Sequence, residues 1–191
     1  MIRIAITPEL IDETKEHLHI RAILDAGWDR VHLRHPSATL ADMRRLIEMV
    51  PQRYHGRLVL HGHFELCNHF NLGGLHLNHR CPAPPRLYSG QLSRSCHTLR
   101  EVRDSEGMTY VTLSPIFDSI SKQGYHSPFS ESDFAGLTEV ETPVVALGGV
   151  NPNRLRLLKE YGFSGFAMLG ALPWNASPEE MSGFAKSITR I

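Results

Sequence analysis

The sequence predicts an α/β fold of the small (β/α)8 type, a TIM barrel, on three observations. Short apolar runs alternate with mostly helical segments about eight times along 191 residues, and eight βα units imply a closed barrel of parallel strands. The run Pro143 to Gly149, PVVALGG, is continuously apolar, as suits a parallel strand covered on both faces, and it ends in a glycine pair. The next unit, Gly165 to Leu169, again ends in glycine, at Gly170, and two late βα turns of this kind match the anion site that barrels place after strands seven and eight. The competing architecture, an open doubly wound sheet, lacks its G-x-G-x-x-G after the first strand, where Thr7-Pro8 stands.

Each element follows from local pattern. Arg3 to Thr7 reads as strand one, and Asp12 to Ala26 as a helix with Ile20, Ile23 and Leu24 on one stripe, stopped by Gly27. Arg30 to Arg34 is strand two, whose alternation turns His32 and Arg34 away from Val31 and Leu33. Leu40 to Val50 carries Met43, Leu46, Ile47 and Val50 at helical spacing and stops at Pro51. Arg57 to His61 is strand three, Gly62 to Phe70 a short helix or turn, and Gly74 to Asn78 strand four. Pro82, Pro84 and Pro85 then forbid a normal helix between His79 and Ser89, so one crossover helix is expected to be replaced by an irregular loop. Gln91 to Ser95 is strand five, followed by a helix from Thr98 to about Ser105, and Tyr110 to Ser114 is strand six. Residues 116–128 form a polar loop long enough for a lid. A helix is expected over Ser130 to Leu137. Asn151 caps the helix Asn153 to Tyr161 with Pro152 in its first turn, and Ser177-Pro178 opens the last helix.

The totals bound the function. The length suits a single domain spanning 1–191. Twenty basic and 20 acidic residues balance, so nothing points to nucleic acid or an anionic membrane as partner. No apolar run approaches the ~20 residues of a membrane span. The N-terminus enters a strand without a signal-peptide layout, and three cysteines make no disulfide framework, which together read as a cytoplasmic protein.

In such a barrel the site lies at the C-terminal ends of the strands. The polar residues there are His32 and Arg34, His61 and His63, His76, Asn78 and His79, Ser93, Ser95 and His97, and Thr112 and Ser114, with Lys122 and His126 in the loop after strand six. Arg34 is the strongest candidate, because a guanidinium aimed into the mouth needs an anion and its fork suits phosphate; an internal salt bridge is the alternative. Gly148 and Gly149, with Gly170 one unit later, offer bare backbone N–H groups for that anion, unless the glycines merely fit tight turns. Lys122 could fold over a phosphate or stay solvated. His97 could shuttle a proton or cap the next turn. Twelve histidines invite a metal reading, but His61-Gly-His63 and His76-x-x-His79-x-Cys81 do not have the spacing of a structural zinc motif, so no metal site is assigned. Cys67 and Cys96 are expected to fill core space.

VHLRHP, LVLHGHFEL, GGLHLN, SRSCHT, YVTLSPIFDSISKQG, PVVALGGVNPNRL and GFSGFAMLGAL, in that order, resemble the family of thiamine-phosphate synthases and their TenI-like thiazole tautomerase relatives. The resemblance implies a barrel acting on a phosphorylated thiazole in thiamin synthesis. By motif match it puts Arg34, Ser95 and Lys122 at anion- or substrate-binding positions, and Gly148, Gly149, Leu169 and Gly170 at the thiazole-phosphate cradle; His32 and His61, from the polar residues at the strand ends, are expected to bind substrate with them. Synthases of this family use Mg2+, with carboxylates after strands three and four. Here those places hold His61-Gly62 and Asn78-His79-Arg80-Cys81, and Pro36 stands where strand two usually ends in lysine. A hard cation needs oxygen ligands. The leading expectation is therefore a metal-independent thiazole tautomerase with no cofactor, in which His97 is the general acid/base. The alternatives are a Mg2+-dependent thiamine-phosphate synthase and a non-catalytic paralogue that binds thiazole or thiamine phosphate. A homodimer is implied only by the resemblance.

Overall fold

The computed structural model describes residues 1–118 and 127–190. Eight parallel strands close into a barrel in sequence order: β1 (Ile2–Ile6), β2 (Arg30–Leu33), β3 (Leu58–Leu60), β4 (Gly74–Leu77), β5 (Leu92–Cys96), β6 (Tyr110–Leu113), β7 (Val144–Ala146) and β8 (Gly165–Met168), with β8 pairing back to β1. The open-sheet alternative is thereby excluded. Between strands lie α1 (Glu16–Asp25), α2 (Leu40–Met49), α3 (Glu65–Phe70), α4 (Leu99–Arg103) and α5 (Leu155–Glu160), and α6 (Pro178–Ile188) ends the described chain. As the prolines required, no helix separates β4 from β5. That connection turns tightly at a bridge between Asn78 and Cys81, with the Asn78 Oδ1 accepting from the N–H groups of Arg80 and Cys81.

Three helical expectations are corrected. Strand one is followed by a turn, not a helix, from Asp12 to Lys15, because the Asp12 carboxylate accepts the N–H groups of Thr14 and Lys15 and caps a local turn instead. The segment expected as a helix over Ser130 to Leu137 is a 3-10 helix, Glu131–Glu139. Its buried residues, Phe134 and Leu137, stand three apart, the 3-10 period, and Ser, Asp, Gly and Thr supply little α-helical propensity. The helix after β7 also starts as a 3-10 turn, Pro152–Arg154, capped by Asn151, whose side chain accepts from the Asn153 N–H at 3.0 Å. A further 3-10 turn over Gln52–Arg57, unforeseen in the sequence, leads into β3.

Two apolar layers hold the molecule. The outer one packs helices on the barrel wall and is built from Val31, Leu33, Leu58, Leu60, Val111, Leu113, Val144 and Ala146 against residues such as Ile20, Ile23, Leu46, Ile47 and Met181. Trp28 anchors it, fully buried, donating its indole N–H to the Ala185 carbonyl at 3.1 Å and meeting Phe166 edge-on. Cys67 and Cys96 are buried within this layer as free thiols. The inner layer is much smaller and comprises Ile4, Ile6, Tyr110, Val145 and Ala167, all on β1, β6, β7 and β8. Apolar packing thus fills one half of the barrel interior. The half lined by β2 to β5 is filled differently.

Candidate active site

Register places the polar half. His76 on β4 lies opposite Ser93 on β5, and Ser93 opposite Tyr110 on β6. Leu60 lies opposite Leu75, so the following pair, His61 and His76, meet as stacked rings with centroids 4.3 Å apart. His32 is fully buried beside them. Its Nδ1 is 2.9 Å from His61 Nε2 and its Nε2 is 2.6 Å from the Tyr110 hydroxyl. His76 is held at both nitrogens, Nδ1 by Ser93 Oγ at 2.8 Å and Nε2 by Ser95 Oγ at 2.9 Å. Burial, then the neighbouring His76 and Arg30, drives the His32 pKa well below its ordinary value. Burial likewise pushes His61 well down, helped by His76, His32, Arg34 and Arg80, and pushes His76 down to about 3. All three are neutral at physiological pH, which is how imidazoles can fill a barrel interior without carboxylate partners. The Tyr110 phenol is pushed up to about 12 by burial and stays protonated.

Above this plug the mouth carries the groups that can meet a ligand. Arg34 is half-buried, and among the described residues its guanidinium has neither an ion-pair partner nor a hydrogen-bond acceptor. The internal salt bridge weighed for it is therefore absent there. Its backbone is fixed instead: the Arg34 N–H donates to Thr7 Oγ1 at 2.9 Å, Thr7 Oγ1 lies 3.1 Å from His35 Nε2, and that nitrogen lies 2.8 Å from the buried Glu16 carboxylate. Thr7, Glu16 and His35 were not singled out in the sequence, although Thr7 directly follows β1 and His35 follows Arg34.

His97 lies exposed just past β5. Its ring Nδ1 is 3.0 Å from the Ser114 carbonyl. A carbonyl only accepts, so Nδ1 is the donor here, and in the neutral ring Nε2 is left as the acceptor, with no partner among the described residues. The capping role falls to Thr98, which forms a reciprocal pair with Glu101 at the start of α4. Ser95 faces the interior but is committed to His76. His32, also expected to touch substrate, is fully buried, with its Nδ1 on His61 and its Nε2 on Tyr110. Lys122 and His126 lie outside the described residues.

At the opposite rim, Gly148 and Gly149 hold positive φ of 88° and 64°. Added Cβ atoms would come within 2.7 Å of Pro115 Cα and 2.5 Å of the Asp118 carbonyl oxygen, so the chain after β6 packs directly on this turn. The backbone N–H groups of Gly148, Gly149, Leu169 and Gly170 have no acceptor among the described residues. Arg154, which the sequence reading passed over, donates to the Gly149 carbonyl at 2.9 Å and stacks on Phe117, placing a cation beside this turn. Its only sequence signal is its position in the first turn after the Gly-Gly pair. A separate cleft of about 220 Å3, lined among others by His35, Pro36, His61, His63, Arg80 and Cys81, opens at the ends of β2 to β4.

The family model described as thiamine monophosphate synthase matches residues 4–172. A thiamine-phosphate synthase of Chlorobium phaeobacteroides is 26% identical over 183 residues, covering 88% of this chain and 85% of its own. One of Dictyoglomus thermophilum is 25% identical over 184 residues, covering 90% and 81%. Among solved structures, the thiamine phosphate pyrophosphorylase of Bacteroides thetaiotaomicron superposes with a TM-score of 0.88 at 32% identity, over 100% of this chain and 96% of that one.

Proposed function

From the premise that the chain belongs to the thiamine monophosphate synthase family, we propose that it is a transferase of thiamin biosynthesis, joining a phosphorylated thiazole to a pyrimidine diphosphate with release of pyrophosphate. The observation that carries this reading is the match over nearly the whole chain to relatives named as synthases, combined with a full-length structural likeness to a thiamine phosphate pyrophosphorylase. It displaces the tautomerase from first place. The free N–H groups of Gly148, Gly149, Leu169 and Gly170 would cradle the thiazole phosphate, with Arg154 adding charge. The unpartnered Arg34 would hold the second anion across the mouth, and His97 Nε2 would accept or return a proton.

The residues present do not fit the Mg2+ that synthases of this family use. The ends of β2 to β5 present Arg34, His61, Asn78 and His97, and the residues just beyond them add His35, His63, His79, Arg80 and Cys81, with no carboxylate among them. Glu16, the one buried carboxylate among the described residues, is engaged by His35. This same observation favours a second reading, the metal-independent thiazole tautomerase, in which His97 would move the ring proton.

One assay separates the two. The purified chain is incubated with thiazole phosphate and pyrimidine diphosphate, with and without chelator, and thiamine phosphate is quantified. In parallel, proton exchange on the carboxythiazole phosphate ring is followed by NMR. Thiamine phosphate formation supports the synthase. Ring-proton exchange that His97→Asn abolishes, without any coupling product, transfers the assignment to the tautomerase.

A further inference from the structure

We propose that His32, His61 and His76 form a binding site for a divalent transition-metal ion of the zinc class, with a fourth position open toward the cleft beside His61. The inference goes beyond the family reading and does not depend on it. One ligating nitrogen from each ring lies within 4.8 Å of the other two. Three imidazoles around one ion at about 2.0–2.1 Å place their nitrogens about 3.3–3.4 Å apart, so a contraction of roughly 1.4 Å at the longest edge completes the set. His32 Nδ1 and His61 Nε2, now 2.9 Å apart as a hydrogen bond, would open by about 0.4–0.5 Å to reach that spacing.

The surroundings are those of a metal site rather than of three isolated rings. His32 keeps its second nitrogen on the Tyr110 hydroxyl, and His76 has a serine hydroxyl on each side, so whichever nitrogen turns to the ion leaves the other on Ser93 or Ser95. Partners of this kind orient ligating histidines and raise their basicity. Of the three, His61 alone lines the cleft of about 220 Å3, which gives an ion and a fourth ligand their way in. The Thr112 hydroxyl, opposite Ser95 in the barrel register, is buried with no hydrogen-bond partner among the described residues, a polar atom left over in the same interior.

The donor set fixes the class of ion. Three nitrogens and no carboxylate reject Mg2+ and suit Zn2+, Co2+ or Cu2+. It also fixes the fourth ligand. Arg30, Arg34 and Arg80 all act on the rings as positive charges. A dication there needs an anion, hydroxide or a phosphate oxygen, to offset them.

The test uses the tag-free chain, stripped by chelator and titrated with Co2+. The expected result is one equivalent bound, with the visible bands of a four- or five-coordinate ion, displaced by Zn2+ and indifferent to Mg2+. Zn2+ should also raise the thermal midpoint of the unmodified chain. His61→Gln should weaken Co2+ binding about 100-fold or more, and Tyr110→Phe, which keeps the shape of the core, about 10- to 100-fold. His63→Gln and Cys81→Ser should leave it intact. Circular dichroism confirms that each variant is folded. The proposal is overturned if the unmodified chain binds no Co2+ at one equivalent. It is equally overturned if the bands survive His61→Gln and vanish with Cys81→Ser, which would put the ion on the rim of the cleft.

Discussion

A single side chain, Arg34, separates stability from binding in this molecule. Among the described residues its guanidinium holds nothing, while its backbone is tied to Thr7. Arg34→Ala should therefore leave the free energy of unfolding within about 0.5 kcal/mol of the parent. A charge-assisted hydrogen bond contributes roughly 1.5–3 kcal/mol, so calorimetric affinity for the phosphorylated ligands should fall about 10- to 100-fold. A large loss of stability would place the guanidinium in a structural role. Arg34 was legible in the sequence because alternation along β2 shows which way it points. The convergence of His32, His61 and His76 was not. They stand 29 and 15 residues apart, and only the inter-strand register, which sets His32 opposite Val59 and carries His61 on to the place beside His76, brings their rings into contact. Their residue type was visible, but the spacing rules for metal motifs apply within one loop or helix.

At the scale of elements, all eight strands were readable as short apolar or alternating stretches, most with ends shifted by a residue or so. The proline segment after β4 was readable too, because missing N–H groups forbid a helix whatever surrounds them. Segment 131–139 was not. Its cap, with Ser130 N–H donating to the Asp133 carboxylate, announces a helix start without saying which kind follows. The three-residue spacing of Phe134 and Leu137 under Tyr161 and Phe163 decides that, and it becomes visible only in packing. The Gly-Gly turn after β7 was legible as an anion cradle, but not as the seat on which Pro115 and Phe117 rest.

At the scale of the whole molecule, the polar half of the interior makes the fold acid-sensitive. His32, His61 and His76, and His19 under α6, have pKa values lowered chiefly by burial. The unfolded chain protonates its histidines near pH 6.5, while the folded chain holds these neutral to lower pH. As pH falls below about 6.5 the unfolded state binds more protons, so stability is lost, by up to about 1.4 kcal/mol per pH unit for each fully buried ring. Carboxylates whose pKa is lowered, such as Asp25 and Glu101, add their loss only below about pH 4. Urea midpoints of the chelator-treated chain should therefore drop between about pH 7.5 and about pH 5, before any carboxylate titrates. An unchanged midpoint over that window would contradict the burial of neutral imidazoles.

The dry half of the interior has a different consequence. Its residues come from β6, β7, β8 and β1, so it straddles the seam where the last strand pairs with the first. Met1 and Ile188 border one surface cleft, so the seam can be bridged by a short linker. The chain should then tolerate circular permutation in one place much better than in another. Opened between Pro84 and Pro85, in the helix-free connection, the permutant would synthesise all four dry strands in unbroken succession. Opened after Gly162, between β7 and β8, it would divide them. The first permutant should melt cooperatively near the parent, and the second well below it; the reverse order would mean that the histidine-filled half, not the apolar one, organises the barrel.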